Sequence, residues 1–93
     1  MTIGIINIKI HIPWAHSLKE KRTVVKSICA KVRNKFNVSI AEVDEQDTHQ
    51  IIVLGIACVT NETTQADSVM DHVINYIESS IDGVIVSVDR EII

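Results

Sequence analysis

IGIINIKIHIPWAHSLKE, residues 3–20, changes its hydrophobic period halfway through, and that change decides the fold. In the first half Ile6, Ile8, Ile10 and Ile12 alternate with Asn7, Lys9 and His11, the period of a strand buried on one face. Pro13, which lacks a backbone N–H for a sheet ladder, ends the strand and opens a short loop through Trp14, Ala15 and His16. Ser17, with Glu20 three residues on, forms a capping box in which each side chain can satisfy the other residue's free backbone N–H. A helix therefore starts here. Leu18, Val25, Cys29, Val32 and Phe36 form its apolar stripe, and Asn37 closes it.

Downstream the pattern continues as strand, strand, helix, strand. Val38 to Val43 is rich in β-branched residues and runs into the acidic turn Asp44, Glu45, Gln46, Asp47. A strand over roughly Gln50 to Thr60 is apolar on both faces and belongs at the centre of a sheet. After a break at Asn61 to Thr64, a second amphipathic helix buries Ala66, Val69, Met70, Val73 and Ile77, with acids near its N-terminus. Gly83 turns the chain into a last strand in which Val84, Val86 and Val88 are expected to share one face. Two right-handed βαβ units joined by a hairpin give an α+β, ferredoxin-like βαββαβ fold: a four-stranded antiparallel sheet with two helices on one face. Ninety-three residues accommodate this single domain, 1–93, and no second one.

Composition narrows the functional classes. The chain is 46% hydrophobic and 23% charged, far from the signature of disorder. Its longest apolar run, Ile51 to Val59, is about half of the ~20 residues a membrane-spanning helix needs, so no membrane association is expected. The N-terminus lacks the features of a secretory signal, which makes the cytoplasm the expected location and free, buried thiols the expected state of Cys29 and Cys58. No catalytic motif, phosphate-cradling glycine loop or cofactor signature is present. The four histidines show no metal-ligand spacing, and the turn Asp44, Glu45, Asp47 with His49 lacks the glycine and distal Glu of a calcium loop. The expectation is a non-enzymatic domain without metal or cofactor.

Charge is the strongest functional signal. Seven of nine Lys and Arg residues lie between Lys19 and Lys35, opposed only by Glu20, so this stretch carries +6 and the rest of the chain −9. On a helical wheel Lys19, Arg22, Lys26 and Arg33 form one flank and Lys21, Lys31 and Lys35 the other, with Thr23, Ser27, Ala30 and Asn34 between them. Cations flanking a ridge of small residues suit a phosphate backbone or an acidic protein surface. Asp67, Asp71 and Glu78 of the second helix are expected to neutralise at most one flank. No aromatic lies in a strand, so base stacking across the sheet, as in RNA-recognition motifs, is not available. On the third strand Ile51, Val53, Gly55, Ala57 and Val59 face away from the helices and mark a homo-oligomer interface, unless the C-terminal Glu91, Ile92 and Ile93 fold over them.

Ser17-Leu-Lys-Glu-Lys-Arg22, Phe36-Asn-Val-Ser-Ile-Ala-Glu-Val-Asp44 with Asp47 and Gln50, and Leu54-Gly-Ile-Ala57 together resemble the YlxP-like family of small bacterial domains of unknown function. The resemblance spans nearly the whole chain and implies a ferredoxin-like fold without an established activity. The family's genes often lie beside translation and ribosome-maturation genes, which points toward RNA or the ribosome. It singles out Lys19, Lys21, Arg22 and the Glu42, Asp44, Asp47 group, and Glu42, a carboxylate inside a strand, requires a cationic or backbone partner such as the start of the basic helix. His49 stands where the family pattern calls for an aromatic, usually Trp, so a stacking contact there is weakened in this chain. The functional expectation is a homo-oligomeric module, a homodimer or larger, that binds structured RNA or a ribonucleoprotein surface through Lys19, Lys21, Arg22, Lys26 and Arg33. The alternative is a structural or ligand-sensing oligomer whose basic helix pairs with acidic surfaces of its own assembly.

Overall fold

A computed structural model describes residues 1–93 as β1 (Thr2–His11), α1 (Leu18–Lys35), β2 (Ser39–Asp44), β3 (Ile51–Thr60), α2 (Thr63–Ser80) and β4 (Val84–Ile92). The strands form one antiparallel sheet in the order β2-β3-β1-β4, with the two long strands central and the shorter ones at the edges. This is the ferredoxin-like arrangement. The period-two isoleucines of β1 carry the core: Ile6, Ile8, Ile10 and Ile12 are buried against Ile28 and Val32 of α1 and Met70, Val73 and Ile77 of α2. Ser17 caps α1 as expected, its Oγ accepting from the Glu20 N–H at 3.1 Å. The α2 cap differs: the helix begins at Thr63, Glu62 is its N-cap without a side-chain cap bond, and no acid sits in the first turn.

Two bulges alter the faces that alternation predicts. In β4, Lys9 pairs with Ser87 and Ile10 with Ile85, leaving Val86 as an extra residue. Val84, Val86 and Val88 therefore do not share a face as a simple period-two reading requires. Ile85 and Val88 pack on the core, while Val84 and Val86 stay 61% and 57% exposed. In β2, Glu42 pairs with Leu54 and Asp44 with Val53, so Val43 is extra and its side chain arches over Gly55. Val53, flanked by Lys9 on β1 and Asp44 on β2, is only 6% exposed and drops out of the expected interface strip, where Ile51 and Ala57 are half-buried and Val59 is 66% exposed. The C-terminus does not fold across the strip. Ile93 exchanges 2.9 Å backbone hydrogen bonds with Ile3 and extends β4 along the sheet edge.

Candidate nucleic-acid interface

The cations of α1 have three different fates. Lys21 is fully buried: its Nζ lies 2.8 Å from Glu42 Oε2, donates to the Thr48 carbonyl at 2.8 Å and also donates to the Glu45 carbonyl. Glu42 Oε2 accepts no hydrogen bond of good direction, so the contact with the ammonium is an ion pair rather than an aligned hydrogen bond. Lys21 is thus removed from the binding surface and serves to tie α1 to the β2–β3 turn. Its position foretells this, since it lies three residues after Leu18 and four before Val25, on the apolar stripe itself. Ile28, seven residues further along, is the other buried position that the five-residue stripe omits.

The turn that Lys21 holds is closed by its own groups. Glu45 adopts a left-handed φ of 55°, its N–H donates to Asp44 Oδ1 at 2.8 Å, and Thr48 Oγ1 donates to Glu45 Oε2 at 2.8 Å. No group of three His, Cys, Asp or Glu side chains gathers there or elsewhere in metal-binding geometry. Gln50 braces the loop before α1, its Nε2 donating at 3.2 Å to the carbonyls of both Pro13 and Ala15.

Arg33 has a divided role. Its guanidinium donates from Nη2 to the Ile40 carbonyl at 2.8 Å, capping a main-chain acceptor of the edge strand β2. Cys29 lies beneath, in a groove between α1 and β2 flanked by Lys26 and Arg33. Burial pushes its thiol pKa up, Arg33 pulls it down and Glu42 adds to the rise. On the opposite flank Lys35 stacks over the Tyr76 ring, 4.8 Å from its centroid.

The acids of α2 do not neutralise α1. Asp67 and Asp71 are taken by Arg90 of β4, which reaches across from the sheet edge. Those two pairs and Lys21–Glu42 are the molecule's only ion pairs. Lys19, Arg22, Lys26 and Lys31 are exposed with no intramolecular carboxylate in contact. The sequence offers little warning of this, because Arg90 is an isolated cation whose partners lie 19 and 23 residues away.

These features define a ferredoxin-like α+β domain whose first helix is cationic on its solvent side and anchored to the sheet by a buried lysine. Residues 3–90 match the family described as a protein of unknown function, DUF503, and the chain belongs to that family. The uncharacterized protein YlxP of Bacillus subtilis (strain 168) is 48% identical over 65 residues, 70% of this chain and 71% of that protein. Among solved structures, a de novo designed protein with ferredoxin fold, LFR1 1, aligns at a TM-score of 0.57 and 15% identity, covering 99% of this chain and 84% of its own. The de novo designed protein Foldit4 aligns at 0.53 and 12% identity, covering 98% and 96%. Their likeness is one of fold. No helix is long and apolar enough to cross a membrane.

Proposed function

We propose that this domain binds structured RNA, free or within a ribonucleoprotein, through the solvent side of α1. The observation that carries the reading is the absence of any carboxylate partner for Lys19, Arg22 and Lys26 in a chain whose net charge is −3. Exposed pairs contribute only ~0–1 kcal/mol, so folding stability is a weak reason to gather unpaired cations on one helix. The row from Lys19 to Arg33 runs about 21 Å at ~1.5 Å per residue, long enough to meet several successive phosphates. Its ridge of Thr23, Ser27, Ala30 and Asn34 is exposed and lets a backbone approach closely.

The test is the salt dependence of affinity for an RNA hairpin. Affinity should fall steeply with salt, and replacing Lys19, Arg22 and Lys26 by Gln should reduce the log-log slope by ~0.7–0.9 for each phosphate no longer neutralised. No binding at low salt overturns the reading. Arg33 is left out of the set because its replacement also uncaps Ile40.

A second reading, favoured by Val59, Val84 and Val86 standing exposed on the sheet side away from the helices or at its edge, is that this face seats a second copy of the chain. The face is self-complementary in charge, with Lys9 on β1 and Asp89 and Glu91 on β4. It leaves α1 free, so the two readings are compatible.

A further inference from the structure

The cleft between the middle of α1 and the C-terminal end of α2 has a composition that α1's charge does not explain. It is lined by Trp14, Ile28 and Ile81 together with Ser27, Lys31 and Asp82. Trp14 is the only tryptophan of the chain and is 38% exposed. It is nonetheless fixed: the indole N–H donates to the Asp82 carbonyl at 2.6 Å, tying the β1–α1 loop to the α2–β4 turn. A half-exposed aromatic already held in one orientation loses little conformational freedom when something stacks on it. Around it, Lys31 has no carboxylate partner, the Asp82 carboxylate has no cation, and neither Ser27 nor Ser80 spends its hydroxyl on a hydrogen bond within the chain.

We infer that this cleft receives one unpaired RNA base, stacked on Trp14 with its adjoining phosphate at Lys31. This inference rests on the RNA-binding reading above and extends it from duplex charge to a single-stranded feature. A base has the required attributes together: a π-face for the indole, an edge of donors and acceptors for Ser27 and Asp82, and a phosphate for the ammonium. A purely apolar ligand leaves the polar rim unpaired, and a simple anion has no use for the aromatic wall. The volume, about 250 Å³, lies below the ~300–1,000 Å³ of pockets that enclose drug-sized ligands, so it fits one base rather than a longer segment. The same helix that offers Lys19, Arg22 and Lys26 to the stem thus offers Ser27 and Lys31 to a loop nucleotide.

Trp14 is its own reporter. The probes are an RNA hairpin with a single-stranded loop, the blunt duplex of the same stem, and the four ribonucleoside monophosphates. The hairpin should quench Trp14 emission and the duplex should not. Trp14→Leu should weaken hairpin binding roughly five- to 150-fold, the range for removing one base stack, while leaving the salt slope and duplex affinity unchanged. Ser80→Leu fills the cleft from the end of α2, away from the α1 ridge, and should do the same with the Trp14 indole left in place. Equal binding of hairpin and duplex, with neither substitution having an effect, overturns the base site and leaves the α1 reading standing. If neither RNA binds, the α1 reading fails alone and the monophosphates decide the cleft: saturable quenching at millimolar concentration retains it, and unchanged emission overturns it.

Discussion

A buried ammonium is tolerated only when its protons find acceptors, and Lys21 has three partners: Glu42 and the carbonyls of Glu45 and Thr48. Removing one member of such a set strands the others. Lys21→Met should therefore destabilise the domain by ~3–5 kcal/mol in urea unfolding, the range for breaking a buried ion pair, and in the folded fraction the salt slope for RNA should not change. A reduced salt slope at unchanged stability would return Lys21 to the binding surface. Cys29 offers a second residue-level test. Burial, partly offset by Arg33 and reinforced by Glu42, raises its thiol pKa. The unfolded chain then gives up this proton at lower pH than the folded one, so the thiol's contribution to stability is intact below the ordinary thiol pKa of ~8.5 and is lost as pH rises above it. Melting temperatures from neutral to alkaline pH should fall more for the native chain than for Cys29→Ala, and parallel curves would show that burial does not penalise the thiolate. Of these two residues, the thiol's burial is legible from its apolar neighbours. Lys21 reads as a surface residue because its charge outweighs its position, although its register on the stripe is visible in the sequence.

At the scale of elements, local chemistry that acts within a few residues is readable and packing between elements is not. The Ser17 cap, the Pro13 stop and the period of β1 all operate inside one turn or one strand. The bulges at Val43 and Val86 depend on how a strand meets its neighbour, and neither strand's own sequence marks which residue is extra. Gly83 illustrates the contrast. A Cβ there would lie 2.8 Å from the main-chain oxygen of His11, at the end of β1, where nothing can move aside cheaply. At Gly55 the same 2.8 Å approach is to a Val43 methyl that can rotate away. Gly83→Ala should cost ~1–3 kcal/mol in urea unfolding and Gly55→Ala distinctly less, with the reverse order showing that the Val43 bulge is the more rigid element.

For the whole molecule, the distribution of charge and apolar surface determines what it can meet. Arg90 draws Asp67 and Asp71 to the β4 side, which leaves α1 cationic and sets the acidic and basic surfaces apart. If the open sheet face pairs two copies, sedimentation should show a concentration-dependent dimer, and Val59→Lys, at a 66% exposed position, should return it to monomer without lowering stability. A monomer at all concentrations would overturn that reading and leave α1 and the cleft beside it as the candidate surfaces. The sequence by itself determined the order of elements, the core isoleucines of β1, the α1 cap and the concentration of cations on one helix, because period, capping and composition are properties of neighbours along the chain. Only the tertiary structure decided which cations remain free, that Val53 is covered, and that Trp14, Lys31 and Asp82 share one cleft. Ion pairing, hydrogen bonding and burial act over a few ångströms in space, and here they join residues far apart in the chain, as in the Trp14–Asp82 bond across 68 positions.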